Sequence, residues 1–373
     1  MNSEPRIGTN TAESGFDLDY ASQWTLIGRK FRRHRVALVA LFLLIGLYLL
    51  AIFAEFLAPY PKSWRDLSHA YCPPQLPHFS FARGWYARGM QRSVDPITFK
   101  SSYVEDEARV VPLGFFVHGE PYRWWGLFSS DRHFFGAKER RVPFFFLGAD
   151  RYGQDVCSRI IYGARISLSV GLVAIAVTFV LGVLIGGISG YVGAATDNFI
   201  QRFIEIVNSF PQVPLWLALG ALLPTDWSAL ATYFAITIVL SLLGWTSLAR
   251  VVRGKILALR EEDYATAARL VGASHARILF RHLLPGLTSH IIVVLTLSVP
   301  GMILGETSLS FLNLGLRPPV VSWGVMLQDC MSIQTVANYP WLLAPVIFIV
   351  VTVLCFNFLG DGLRDAADPY STT

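Results

Sequence analysis

The chain alternates between long apolar runs and polar segments. Residues 36–58, 168–191, 199–223, 229–248, 286–305 and 340–358 each hold an apolar run of about 20 residues, the length a helix needs to cross a bilayer. They predict six transmembrane helices. Pro211 and Pro214 interrupt the third run, and Pro300-Gly301 predicts a kink or break in the fifth. In the second run Gly182, Gly186 and Gly190 recur every four residues and put a smooth stripe on one face, the kind that lets helices approach closely in lipid. The stripe suits packing within the chain or against a partner equally well.

Between the fourth and fifth runs lies a polar stretch, residues 261–285, with a helical pattern of its own. Glu261, Glu262 and Asp263 place negative charge at a helix start, where unpaired N–H groups and the macrodipole favour it. Good helix formers follow from Tyr264 to Leu270, and Gly272 stands where a glycine ends a helix. Ser274 caps a second helix, whose inner side holds Ile278, Leu279, Leu283 and Leu284, and Pro285 interrupts it. The stretch reads as two short helices around a glycine corner, held at a membrane surface. Small side chains at Ala265, Ala267 and Ala268 suit entry into a close-fitting groove.

Charge orients this pattern. Arg29, Lys30, Arg32, Arg33 and Arg35 precede the first run, and Arg250, Arg253, Lys255, Arg260, Arg269, Arg277 and Arg281 flank or occupy the hairpin. By the positive-inside rule both segments, and with them the N- and C-terminal tails, are expected in the cytoplasm. A signal peptide is the competing reading of the N-terminus, but the apolar core is too long for one. Composition agrees with a membrane protein: 53% of the 373 residues are hydrophobic, only 15% are charged, and mean hydropathy is +0.46. The net charge of +5 then bears on orientation, and nucleic-acid binding is set aside because no basic patch interleaved with aromatics lies in a soluble module. The fold class is an all-α polytopic membrane protein with an aromatic-rich extracytoplasmic insert.

That insert is the longest polar stretch, residues 60–146. Trp64, Tyr71, Trp85, Tyr86, Phe99, Tyr103, Phe115, Phe116, Tyr122, Trp124, Trp125, Phe128, Phe134 and Phe135 populate it, and Pro and Gly punctuate it. Short strands and turns are expected, with residues 110–117 the best strand candidate. It is a docking surface for an extracytoplasmic binding protein, a cap over a channel mouth, or a lid with its own aromatic core. The last is favoured, because aromatics more often fill cores. After it, Val156, Ile160 and Ile161 share a helical face and predict an interfacial helix feeding the second span. Asp150 and Asp155 lack the His or Cys partners that metal chemistry needs. Glu205, inside the third run, is a pathway or interhelix-contact candidate, since a carboxylate at membrane depth faces protein or water. Residues 1–35 form an N-terminal tail, disordered up to about residue 28.

Five stretches carry a resemblance. Ala267, Ala268, Gly272, Ala273, Ser274, Ile278, His282, Leu284 and Pro285 match the EAA-loop signature of ABC-importer permeases, with Thr266 where that family has Glu. Residues 29–38, RKFRRHRVAL, resemble the N-terminal segment of its oligopeptide/dipeptide/nickel branch. Leu147, Gly148, Asp150, Gly153, Asp155, Ser158, Arg159, Gly163, Arg165, Ser167 and Leu168 match a second motif of that branch, with Ala149 and Gln154 departing from it. Residues 306–323 and the tail 356–369 resemble two more, with Thr307 and Asn313 as departures. The resemblance covers residues 29–58 and 146–369 and leaves the aromatic insert largely outside.

It implies a permease subunit in the bacterial inner membrane: a cytoplasmic tail 1–35, a first span 36–58, an insert with interfacial helix 59–164, a five-helix core 165–359 with coupling loop 250–285, and a tail 360–373. It implies a second permease subunit, two cytoplasmic ATPases that bind the ATP, and an extracytoplasmic substrate-binding protein. Tyr264, Ala267, Ala268, Gly272, Ala273 and Ser274 would couple to the ATPases, and Glu205, Glu306, Pro300 and Gly301 are pathway or gate candidates. No phosphate-cradling G-x-x-x-x-G-K-[ST] occurs, so no cofactor is assigned to the chain, and no catalytic or metal residue either. Peptides are the default substrate, with nickel, opines and glycosides open. An ion-coupled transporter would carry more intramembrane charge. A receptor or scaffold using the insert as a sensor remains the alternative. Cys72, Cys157, Cys330 and Cys355 form no framework, though one disulfide is compatible with them.

Overall fold

A computed structural model describes residues 23–94, 96–97, 101–139 and 142–368. The tail up to residue 22, Phe99 of the aromatic set and Pro369 at the end of the C-terminal motif lie outside the described residues.

Nine helices of six or more residues, apart from one short outer-loop turn, frame the described chain: α1 Gln23–Arg33, α2 Arg35–Ile52, α3 Val156–Val192, α4 Ala194–Asn208, α5 Gln212–Ala221, α6 Ala229–Leu259, α7 Asp263–Leu270, α8 Thr288–Phe311 and α9 Ala344–Ala367. Five helical stretches among the described residues are long and apolar enough to span a membrane; they contain α2, α3, α6, α8 and α9. The chain is therefore mostly helical and built for a bilayer.

The third apolar run departs from a simple span. It divides into α4 and α5, of 15 and 10 residues, parted at Ser209, Phe210 and Pro211. Pro211 has no N–H to continue the helix, and its extended backbone opens α5 instead. Pro214 falls in the first turn of α5, where its missing N–H costs nothing. The expected interfacial helix is also absent as a separate element. Residues 156–161 are the first turns of α3, and Val156, Ile160 and Ile161 are buried against protein. Nor does Pro300 break its helix: α8 runs through it. Ser298 Oγ donates to the Val294 carbonyl at 2.7 Å and Thr296 Oγ1 to that of Ile292 at 2.8 Å, so both hydroxyls in the turn before the proline are satisfied by their own helix.

Lipid gives helices little reason to bury apolar surface against one another, so close packing and polar contacts carry the association. The glycine stripe decides the pairing of α3. A Cβ at Gly186 would lie 2.4 Å from the Ala249 carbonyl oxygen, and one at Gly182 or Gly190 would meet Leu248 or the Arg253 and Ile256 backbone and side chain. All three contacts are on α6, so the stripe packs within the chain. A second cluster joins α2, α3, α8 and α9 around Ala40, Leu44, Leu168, Ile303, Trp323 and Ile349. Trp323 is fully buried, and its indole N–H donates to the Ile160 carbonyl at 3.1 Å.

The insert is a four-stranded antiparallel meander in the order β1-β2-β3-β4: β1 His78–Ser80, β2 Gly84–Val94, β3 Ser101–Trp124 and β4 Phe128–Ala137. Residues 110–117 fall in β3 as expected, but only β1 is short, and β2, β3 and β4 have 11, 24 and 10 residues. β3 has 24 residues, pairing with β2 through its first half and with β4 through its second. Ala87, Val111, Leu113 and Phe144 make a small core beneath the sheet. His133 fastens the sheet to the spans, with Nδ1 2.6 Å from the Ala58 carbonyl and Nε2 2.9 Å from that of Glu120.

Candidate functional site: hairpin, cavity and hydroxyl cage

The hairpin forms where the sequence places it. α7 spans Asp263–Leu270, and Gly272 takes φ +83°, a left-handed conformation that a side chain resists. Its N–H and that of Ala273 close the helix end on the carbonyls of Arg269 and Ala268, at 2.9 and 3.0 Å. Ser274 caps the second helix, its Oγ accepting from the Arg277 N–H at 3.4 Å. Pro285 does not end that helix. The backbone widens into a π turn at Ile278–Leu283, tightens over Leu284–Leu287 and continues into α8. The second hairpin helix is thus the start of a membrane-spanning rod.

One side of the hairpin is core. Ala265, Ile278, Leu279 and Leu283 are buried with Val252 and Ile256 of α6. Ala265 therefore packs inward and does not belong to an entry face. The other side is open: Tyr264, Ala267, Gly272 and Ser274 are exposed, while Ala268 and Ala273 are half-buried. At the tip Leu270 and Val271 are 85% and 89% exposed, an apolar knob that sequence reasoning passed over. Two bonds hold the hairpin to the helix ends. Tyr191 Oη lies 2.9 Å from His275 Nδ1, and Arg269 Nη2 donates to the Arg260 carbonyl at 2.7 Å. His275 thus ties the second hairpin helix to the end of α3. Nearby, Arg253 holds Asp197 through two bonds of 2.5 Å, and Ser189 Oγ donates to the same carboxylate at 2.5 Å. Together they clamp the α3–α4 corner to α6.

A cavity of about 500 Å³ opens beside the break between α4 and α5. Asn208, Pro211, Gln212, Ser247, Ser298 and Gly301 line it, so polar atoms from three separated segments face one space within the apolar runs. Of the gate candidates only Gly301 borders it. Pro300 is buried inside α8, and Glu205 is exposed on α4, paired with Arg202 at 2.9 Å. Isolated polar residues inside apolar runs were the signal for Asn208, Gln212, Ser247 and Ser298.

Glu306 sits elsewhere, in a cage of hydroxyls. Ser310 and Ser322 each donate to its Oε1 at 2.8 Å, and Ser167 approaches Oε2 at 3.4 Å. Ser167 is on α3, and its Oγ also accepts the Trp323 N–H at 3.0 Å. Ser310 Oγ accepts the Leu316 N–H at 3.1 Å. The carboxyl is fully buried and pins the segment after α8 back onto α3 and α8.

The motif at residues 147–168 is a knot on the same side. Asp150 accepts from the N–H groups of Tyr152 and Gln154, at 2.8 and 2.9 Å, and pairs with Arg159. Asp155 caps α3, accepting from Ser158 N–H at 2.7 Å and Ser158 Oγ at 2.6 Å. A Cβ at Gly153 would lie 1.8 Å from the Asp66 carbonyl oxygen, so only glycine fits there. Arg165 clasps Glu55 through bonds of 2.8 and 2.7 Å, and Arg151 reaches Asp329 at 3.0 Å. Both aspartates of the motif are thus used in holding structure. Burial raises the Asp329 carboxyl above its ordinary range, with Asp150 adding to the rise and Arg151 opposing it. All four cysteines are free thiols, and no cluster of three or more metal-ligating side chains occurs among the described residues.

Comparison with known proteins supplies the remaining observation. A family model described as binding-protein-dependent transport system inner membrane component matches residues 182–371. A second, described as the N-terminal TM domain of oligopeptide transport permease C, matches residues 22–74. The oligopeptide transport system permease protein OppC of Haemophilus influenzae is 39% identical over 242 residues, covering 65% of this chain and 75% of that protein. The dipeptide transport system permease protein DppC of Bacillus subtilis is 31% identical over 343 residues, covering 91% and 84%. Among solved structures, an inward-facing MetNI methionine ABC transporter covers 56% of this chain and 96% of its own at 16% identity, with a TM-score of 0.44.

Proposed function

The chain belongs to the family of binding-protein-dependent transport system inner membrane components, permease subunits of ABC importers, and from that premise we propose that it forms half of a translocation pathway for peptides. The observation that carries the reading is the hairpin's continuity with α8. An apolar knob at Leu270–Val271 is exposed at one end, and the rod that begins at Ser274 passes Gly301 at the cavity. A push at the knob reaches the cavity wall across the tight Gly272 corner, which is closed by the Gly272 and Ala273 N–H bonds, and then along the rod. That is the mechanical requirement for an ATPase elsewhere in the complex to work on a pathway in this chain.

In this reading the exposed face of Tyr264, Ala267, Gly272 and Ser274, with Ala268 and Ala273 at its edge, docks into a groove on a cytoplasmic ATPase. Two such ATPases bind the ATP, so the chain needs no nucleotide site of its own. α4 and α5 together make a broken sixth span whose gap at residues 209–211 opens onto the pathway. A discontinuous helix lining a cavity is the form in which irregular backbone is tolerated at membrane depth. The other half of the pathway comes from a second permease, and an extracytoplasmic binding protein delivers substrate to the face that bears the sheet. The hairpin and both termini then lie in the cytoplasm, consistent with their arginines and lysines.

Transport in reconstituted vesicles tests the proposal. The complex purified on this chain should accumulate a labelled oligopeptide only with ATP and the binding protein both present. Accumulation driven by an ion gradient without ATP would refute it.

A further inference from the structure

The turn between β3 and β4 lies beside the end of the first span. α2 has 18 residues, so it is about 27 Å long at 1.5 Å per residue, close to the thickness of the hydrocarbon core. Arg35 begins it, and the Glu55–Arg165 ion pair stands just past its other end, so Ile52 marks the boundary between acyl chains and headgroups. Trp125 is fixed at that level. Its indole N–H donates to the Ile52 carbonyl at 3.1 Å, and the Arg165 guanidinium lies 4.1 Å over its ring. Phe53 packs against Trp124 with ring centroids 5.6 Å apart. Behind the turn, Phe56 contacts Phe116 and Phe134 at 6.1 and 6.0 Å, so the sheet is braced against the helix end.

From this fixed point the turn presents apolar surface outward. Leu127 is 78% exposed, and Trp125, Phe128 and Phe116 are each more than half exposed. This surface continues the exposed apolar side of α2 at Leu49, Ile52 and Phe53. Arg123, also exposed, stands one residue from Trp124 on the same strand, within reach of the headgroup layer. Indole and phenyl groups with one polar edge are the side chains that favour this layer, and a neighbouring arginine suits its phosphates.

We propose that the β3–β4 turn is a membrane anchor, with Trp125, Leu127 and Phe128 seated at the headgroup–acyl boundary of the leaflet beside Ile52. The sheet is thereby held at a set tilt on the bilayer and moves with α2. The proposal needs only that the chain is membrane-embedded, and it stands whatever solute the protein moves.

Spin labels report the outcome. Leu127→Cys and Phe81→Cys, both at exposed positions, are labelled with a nitroxide in the full chain in phospholipid nanodiscs. Relaxation is compared with oxygen, which partitions into lipid, and with a water-soluble nickel chelate. Labelling of the parent chain corrects for the half-buried Cys157 and Cys330. The oxygen-to-nickel ratio should be several-fold higher at residue 127 than at residue 81, which lies in the β1–β2 turn at the opposite edge of the sheet. Equal, water-like ratios would overturn the proposal. So would shielding of residue 127 from both reagents, because it would show protein covering the turn.

Discussion

The hydroxyl of Tyr191, at the last turn of α3, lies 2.9 Å from Nδ1 of His275, in the first turn of the second hairpin helix. Their rings meet edge to face with centroids 5.6 Å apart. The bond joins the hairpin to the α3–α6 pair, so a force on the hairpin is shared between that pair and α8. Replacing Tyr191 with Phe keeps the ring and deletes the bond, a loss of about 1 kcal/mol. The expected result is normal insertion with uptake per ATP hydrolysed reduced about fivefold, measured in proteoliposomes. His275→Ala should give the same reduction, and the double variant no further one.

The contact between α3 and α6 depends on the absence of a side chain. Gly186→Val puts carbon into the Ala249 backbone and should lower stability by about 1–3 kcal/mol, the usual cost of overpacking. Gly301→Ala is the matched control, because nothing lies within 4 Å of its missing Cβ. It should be neutral or gain up to about 1 kcal/mol from helix propensity. Thermal unfolding in detergent separates the two.

Glu306 holds its cage by accepting hydrogen bonds. Glu306→Gln retains an acceptor and should stay within about 1 kcal/mol of the parent. Glu306→Ala leaves the Ser310 and Ser322 hydroxyls without their partner and should cost about 1–3 kcal/mol. The same unfolding assay checks this order, and equal loss in both variants would contradict the role.

Burial pushes the Asp155 carboxyl up to about 6 from its ordinary 3.8, against the opposing hydrogen bonds from Ser158. The folded state therefore binds this proton more tightly than the unfolded chain does. Its contribution is full below the lower value and is lost as pH rises through the upper one. Across that window the parent should lose on the order of 2–3 kcal/mol relative to Asp155→Asn, which still caps α3 but does not titrate. Unfolding midpoints of the two proteins between pH 4 and pH 7 provide the comparison.

Much of this was legible along the chain because its determinants are local. An apolar run of bilayer length, an arginine excess beside it, and Gly272 at a helix end each act within a few residues. The glycine stripe was legible as a contact surface, but its partner on α6 required the fold. The sheet was under-read because β3 carries charged residues among its aromatics on both faces, which hides the two-residue period of a strand. Pro285 misled for a physical reason. A proline that would end one helix is equally suited to the first turn of the next, and here the two are continuous. The hydroxyl cage could not be read at all, since Ser167, Glu306 and Ser322 meet only through tertiary packing.

The central claim is that the hairpin tip transmits ATPase motion. Gly272→Trp tests it bluntly, because φ +83° strains any side chain. Val271→Asp is cleaner, since Val271 is exposed and has ordinary backbone angles. The deciding measurement is affinity purification of the tagged chain in mild detergent, parent against Val271→Asp, with ATP hydrolysis assayed on what co-purifies. The account predicts an ATPase pair with substrate-stimulated turnover on the parent, and loss of the pair or of stimulation in the variant. A parent that purifies alone across several detergents, or a variant with full stimulated turnover, would contradict it.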